Sequence, residues 1–327
     1  MISSKETAPS FNDWSKRMIK RSPAKTKTLH RVLSRWYRKN YRKLPWRETN
    51  DPYKILISEV MLQQTQVRRV EMKFPEFIAK FPTLRTLAKA SRADIIRAWQ
   101  GMGYNNRAVR LRELAQVVVE KKGGRLPTDP MRLQALPGIG RYTANAISCF
   151  SHRQKVPVVD VNVRRVLSRI FWQMKSVADV RNEKEIWILA ERILPNDVYG
   201  WNQALMEFGA TLCMARKPRC ENCPVRKVCA SNMLYKKSVL KRDKNKAFKK
   251  EATFRNIPHR LWRGRVVEVL RSLNGKSALS LSKLGKVIMG NFSSRERLWL
   301  ERLVESLIRD GVVERVRNST KVKLAEG

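Results

Sequence analysis

Apolar residues recur at helical spacing along most of the chain, in runs punctuated by proline and glycine. The pattern predicts helices over Lys54–Lys73, Arg92–Trp99, Arg107–Lys121, Met131–Ala135, Arg141–Ser151, Asn162–Phe171 and Glu183–Ile193. Strand-like alternation is scarce in this region, so the core reads as all-α. A second periodic block begins near Trp262, with helices expected over Arg263–Leu273, Leu279–Met289 and Ser294–Arg309. Val312 to Arg317 then alternates toward a polar turn at Asn318-Ser319, and Lys321 to Leu324 returns. Three helices followed by a hairpin outline a small α+β, winged-helix-like domain, with DNA contact or protein docking as its two readings.

Polar stretches set the expected boundaries. Residues 1–25 read as a mobile basic arm, 26–235 as the helical core, 236–258 as a basic linker and 259–327 as the winged-helix-like domain. Between residues 236 and 265 there are twelve Lys or Arg against two acids, a solvated run that plain solubilising charge explains equally well. No stretch approaches the roughly 18 apolar residues of a membrane span. With no apolar signal stretch at the start, the expectation is a monomer without membrane attachment, cytoplasmic and nucleoid-associated if prokaryotic.

Charge narrows the partner. The 327 residues include 69 Lys+Arg against 28 Asp+Glu, a formal net charge of +41. Such an excess favours a polyanion, nucleic acid first, although a ribosomal or acidic-membrane protein would share it. Nine tryptophans and clear periodicity argue against disorder for most of the chain.

Four of the five cysteines, Cys213, Cys220, Cys223 and Cys229, form a C-x6-C-x2-C-x5-C run of seventeen residues. Four soft thiolates so close suit a tetrahedral metal ion or an iron–sulfur cluster, and spacing alone does not separate the two. Disulfides fit poorly in a chain that looks intracellular. Leu136-Pro137-Gly138-Ile139-Gly140 joins two predicted helices, and its glycines would let backbone N–H groups approach a phosphate; an ordinary turn is the alternative. Glu59 sits in an apolar stretch where desolvation would raise its pKa. Asp160 follows Val158-Val159. Taken singly, the first is more often a buried ion-pair member and the second a helix N-cap.

Taken in order, these motifs resemble the helix-hairpin-helix DNA glycosylases with a 4Fe–4S cluster, the endonuclease III superfamily. Within it the chain is most similar to the MutY-like adenine glycosylases of mismatch repair. The resemblance rests on Leu44 to Arg47, Ser58 to Val67, Gly101 to Tyr104, Leu136 to Ala144, Asp160 to Val163, Asn202 to Glu207 and the cysteine run. It implies an all-α core of two helical lobes and a 4Fe–4S cofactor on the four cysteines, beside a basic DNA-facing loop at Arg216, Lys217 and Arg219. It further implies Glu59 as the acid that protonates adenine and helps activate water, and Asp160 as the carboxylate facing the sugar cation. Tyr142 and Asn162 would assist. Related enzymes that also nick the strand carry Lys at the place of Tyr142, so monofunctional excision is expected. Gln63 and Gln64 would insert near the lesion and Tyr104 would wedge beside the partner base. Arg42, Leu44, Trp46, Leu62 and Glu207 would line the adenine pocket, while Gly138 and Gly140 anchor a phosphate. The implied partner is double-stranded DNA containing a mismatch.

The chemistry is coherent on its own terms. A base in a duplex must be flipped out before its glycosidic bond is reachable. Removing a purine then needs a proton for the base and stabilisation of an oxocarbenium-like sugar, work that two carboxylates in different environments divide. The resulting expectation is excision of adenine opposite 8-oxoguanine or guanine. Its rivals are excision of thymine or uracil opposite guanine, and a non-catalytic iron–sulfur DNA-binding regulator. Three features depart from the MutY-like pattern: Val161 in place of Gly, Asn105-Asn106 after the wedge tyrosine, and a winged-helix-like tail where a Nudix-like domain is usual.

Overall fold

The computed structural model describes residues 23–172, 182–232, 251–273, 277–317 and 319–327. Its helices, in chain order, are α1 (Pro23–Asn40), α2 (Pro52–Leu62), α3 (Val67–Lys80), α4 (Leu84–Lys89), α5 (Arg92–Ala98), α6 (Asn106–Lys122) and α7 (Pro130–Gln134). There follow α8 (Arg141–His152), α9 (Val161–Phe171), α10 (Glu183–Arg192), α11 (Val198–Thr211), α12 (His259–Ser272), α13 (Leu281–Met289) and α14 (Arg297–Arg309). Among the described residues the strands, β1 (Thr253–Phe254), β2 (Ile257–Pro258), β3 (Leu279–Ser280), β4 (Val313–Arg315) and β5 (Lys321–Leu324), are short and lie in the C-terminal region.

Local chemistry sets many of the helix starts. Asp51 accepts the Tyr53 amide at 2.9 Å ahead of Pro52, which occupies the first helical position of α2. Asp129 caps α7 in the same way before Pro130, and Thr83 forms a capping box with Thr86 at α4.

The predicted helix over Lys54–Lys73 is in fact two, α2 and α3, parted at Gln63–Gln66, where Gln64 takes a left-handed φ of 56°. Apolar spacing runs on across the break because both helices bury a face, so periodicity alone does not reveal it. Three helices were not expected: α1, α4 and α11. Among them α11 buries residues around its whole girth, from Val198 and Trp201 to Glu207 and Phe208, and therefore shows no apolar stripe.

The chain divides into two compact units that interleave in sequence: residues 1–43 with 148–246, and residues 44–147 with 247–327. In the first unit, Leu29 and Leu33 of α1 pack with Val163, Leu167 and Ile170 of α9, Trp187 of α10 and Trp201 and Phe208 of α11. Residues 23–25 belong to α1, and the rest of the expected arm lies outside the described residues.

In the second unit, α12–β3–α13–α14–β4–β5 with strand order β3-β5-β4 has winged-helix topology. Leu279-Ser280, expected as the first turn of a helix, is instead a strand, because Leu279 pairs with Val322. The linker splits as well: residues 236–250 lie outside the described residues, while Thr253–Pro258 form an antiparallel hairpin. Phe254 of that hairpin stacks on Trp299 at 3.8 Å, which fastens it to the C-terminal domain. That domain shares one apolar core with the helical part of its unit, where Ala93, Ile96 and Val109 pack with Trp262, Val266 and Leu324.

Candidate active site and cluster loop

Within the second unit, α2 carries Glu59 into the interior at 4% exposure, and α8 brings Tyr142 to it. The Tyr142 hydroxyl donates to Glu59 Oε2 at 2.6 Å across 83 residues of sequence. Between α7 and α8, Ile139 N–H closes a turn on Leu136 O at 3.3 Å, with both side chains buried. Gly138 has φ 76°, which explains its glycine. Gly140 has no such φ, and a Cβ there would meet nothing within 4 Å, so the fold itself does not demand glycine at that position.

Gln63, Gln64 and Tyr104 stand on two surface loops, with Tyr104 51% exposed and at φ 46°. Leu44 and Trp46 are buried, Trp46 edge-on to Phe74 with centroids 5.8 Å apart, and Leu62 is half-buried. Core packing therefore accounts for Leu44 and Trp46 without a ligand.

Within the first unit, Asp160 is the N-cap of α9, so the ordinary role expected for it is real. Its Oδ1 accepts the Val163 amide at 2.7 Å and its Oδ2 accepts from Asn162 Nδ2 at 2.7 Å. Burial pushes the Asp160 carboxyl above its ordinary value, opposed by these hydrogen bonds and the Arg165 charge. Asn162 Oδ1 in turn accepts from Arg165 Nη2 at 2.9 Å, which fixes the direction of its amide. Asn162 also packs against Gly209 of α11, where a Cβ would lie 2.7 Å from its own. Val161, 76% exposed, opens α9 beside Asp160. Arg42 makes a two-pronged ion pair with Glu207, which is 1% exposed.

The sequence reading missed two residues that serve this unit. Asn202 accepts the Val158 amide at 2.9 Å and donates to Val156 and Val198 carbonyls, holding the segment that leads to Asp160. Arg165 donates to Gly209 O at 2.7 Å and Cys213 O at 3.0 Å, linking α9 to the cysteine loop. Asn202 opens the Asn202–Glu207 motif, where the family likeness implies no role for it, and among 69 basic residues no pattern singles out Arg165.

None of the five cysteines is in a disulfide. Arg169 of α9 donates to Met214 O at 2.8 Å and Ala215 O at 2.9 Å and lies 3.5 Å from Cys213 Sγ. At the far end, Ala230 and Ser231 amides bond Ile170 and Arg169 carbonyls at 3.0 and 3.1 Å. Both ends of the loop are therefore pinned to α9. Burial pushes the Cys223 thiol up to about 12 and the Cys229 thiol up to about 11, with the neighbouring thiols adding to each. Four mutually repelling thiolates fit a cationic cluster, which would relieve that repulsion. Among the described residues no three His, Cys, Asp or Glu side chains converge as ligands of a single ion. A four-thiolate set suits either zinc or iron–sulfur, so the choice of iron–sulfur rests on the family match below.

Residues 57–191 match the family model described as HhH-GPD superfamily base excision DNA repair protein, and residues 213–229 match the iron–sulfur binding domain of endonuclease III. Among curated relatives, an adenine DNA glycosylase of Mycobacterium tuberculosis is 37% identical over 86% of this chain and 89% of its own. One from Mycolicibacterium smegmatis is 35% identical over 90% of this chain and 96% of its own. In fold, a thermostable thymine-DNA glycosylase aligns with TM-score 0.60 and 34% identity over 65% of this chain and 98% of its own. The chain belongs to the adenine DNA glycosylase family, and residues 213–229 are an iron–sulfur binding domain that carries a 4Fe–4S cluster.

Cys223→Ser is expected to give protein depleted in iron and in iron–sulfur visible absorbance. Losing a ligand should cost more cluster affinity than the roughly 10–100-fold lost with a supporting group. Full iron content in the purified variant would remove Cys223 from the ligand set.

Proposed function

We propose that this enzyme is a monofunctional glycosylase that excises adenine from mismatched double-stranded DNA, opposite 8-oxoguanine or guanine. The observation that carries this reading is the pairing of buried Glu59 with the Tyr142 hydroxyl at 2.6 Å, tyrosine standing where strand-nicking relatives have lysine. Family membership over most of the chain supports the substrate class.

In this mechanism the flipped adenine accepts a proton from Glu59, and the bond from sugar carbon to base nitrogen breaks with its electrons leaving on the base. Ionised Asp160 stabilises the positive sugar, with Asn162 holding the carboxylate in place. Water then adds to that carbon and returns its proton to Glu59. Tyr142 orients Glu59. Gly138 and Gly140 present amides to a phosphate, Gln63, Gln64 and Tyr104 enter the duplex, and Arg42, Leu62 and Glu207 shape the base site together with Leu44 and Trp46. The 4Fe–4S cluster supplies no hydrolytic step; its loop, with Arg216, Lys217 and Arg219, holds a basic face toward DNA. We place the enzyme as a monomer in the compartment that holds the DNA. No helix among the described residues is long and apolar enough to cross a membrane.

Single-turnover excision on a panel of mismatched duplexes tests the substrate. Adenine opposite 8-oxoguanine or guanine should react fastest. Preference for thymine or uracil opposite guanine would favour the second reading, which the fold likeness to a thymine-DNA glycosylase keeps in view. Tyr142→Lys is expected to introduce some strand nicking, because an amine forms a Schiff base with the opened sugar and a phenol does not. If strands still break only after alkali or heat, the placement of Tyr142 beside the sugar is wrong.

A further inference from the structure

Two loops that no sequence pattern connects are tied together by one guanidinium. Arg107, in the first turn of α6, donates through Nη1 to Val60 O at 2.8 Å, Met61 O at 3.2 Å and Gln63 O. Through Nη2 it donates to Thr65 Oγ1 at 3.1 Å, Met102 O at 2.9 Å and Gly103 O at 3.1 Å. Its plane also lies over the rings of Trp99 and Tyr104, with centroid distances of 5.4 and 5.6 Å.

Closing the C-terminal end of α2 would need only the Val60 and Met61 carbonyls, where the helix dipole favours a cation. The remaining contacts go to the Gln63–Thr65 and Met102–Gly103 loops. Each loop carries a non-glycine residue in the left-handed region, Gln64 at φ 56° and Tyr104 at φ 46°. Such conformations are disfavoured for residues with a Cβ and persist only where the surroundings over-determine them. Arg69 of α3, donating to Gly101 O at 2.9 Å, holds the second loop alone. Burial pushes the Arg107 guanidinium down to about 10, which leaves it charged at neutral pH.

We propose that Arg107 is a positioning residue that locks the Gln63–Gln64 turn and the Tyr104 loop into one rigid element, so that both enter the duplex together and hold the target base outside the stack. This rests on the reading that Gln63, Gln64 and Tyr104 are the residues that enter DNA. The planar fork is what the task requires, since six acceptors spread over three segments cannot be spanned by the compact ammonium of lysine.

The test uses the full chain, with Arg107→Lys, Thr65→Val and Tyr104→Ala, on duplexes carrying the same adenine mispair between G·C-rich or A·T-rich flanks. A parallel set carries 2-aminopurine at the target position. Arg107→Lys should keep the iron content of the parent and still melt cooperatively, at a somewhat lower temperature. It should lose the fluorescence rise of base extrusion and excise about 10–100-fold more slowly, the scale of loss for a misplaced contact group. The loss should be larger with G·C-rich flanks, where unstacking costs more. Equal losses in both flanks, or parental fluorescence and rate, would overturn the proposal. Should Arg107→Lys fail to fold, Thr65→Val decides: a smaller loss with the same flank dependence supports the lock, and parental behaviour in both flanks refutes it. Tyr104→Ala keeps the two ideas apart, because normal extrusion there discards the entry reading itself, whatever Arg107 does.

Discussion

Glu59→Gln should leave a folded, cluster-bearing protein that binds mismatched DNA and excises adenine about 10²–10⁴-fold more slowly in single-turnover assays, the usual worth of a positioned general acid. The substitution keeps the shape of the side chain and an oxygen to accept the Tyr142 hydroxyl, which now lies 2.6 Å from Oε2. It removes only the ability to deliver a proton to the base and to take one from water. The buried setting makes the experiment clean, because an isosteric amide at 4% exposure leaves no cavity. Parental rates in this variant would take proton transfer away from Glu59. Absence of excision in the parent as well would move the chain to the class of DNA-binding regulators.

Asp160→Asn is expected to cost about 10²–10³ in the excision rate, as loss of a preorganised charge-stabilising group does. The parent enzyme should also show an acidic limb in its pH profile at a position set by Asp160. Burial raises the carboxyl above the ordinary 3.8, so the ionised form needed beside a sugar cation is lost as pH falls through a value higher than usual for aspartate. Asn162 donates to the ionised form at 2.7 Å. Asn162→Ala removes that donor and keeps the Cβ that packs on Gly209, so the carboxyl should rise further and the limb should move to higher pH. A limb that stays in place in Asn162→Ala would show that another group sets it.

Motif order made the fold family and the cysteine loop legible in the sequence, and it singled out Glu59 and Asp160 as the proposed catalytic pair. The partners of these residues were not, because the decisive contacts join distant segments: Tyr142 with Glu59 across 83 residues and Arg42 with Glu207 across 165. Single-sequence periodicity carries no such pairing. It also failed at α11, whose buried girth has no polar side, and at Gln64, where a left-handed residue breaks an apolar pattern that continues on both sides. The Asn105 departure has a structural account: its Oδ1 accepts from Arg271 of α12 at 3.2 Å, a partner specific to this C-terminal domain. For Val161, exposed beside Asp160, no physical account emerges.

The winged-helix domain is not an appendage that a gene truncation could trim away. Its tryptophan and valines complete the interior begun by Ala93, Ile96 and Val109, and its last residues bond back to that half through Arg92 N–H to Glu326 O. A shortened protein ending near residue 250 would carry a greasy scar on the half that also bears Glu59, inviting clumping and sluggish turnover for reasons unrelated to lesion reading. Chimeras that exchange this tail between relatives should therefore swap the facing side chains of α5 and α6 along with it.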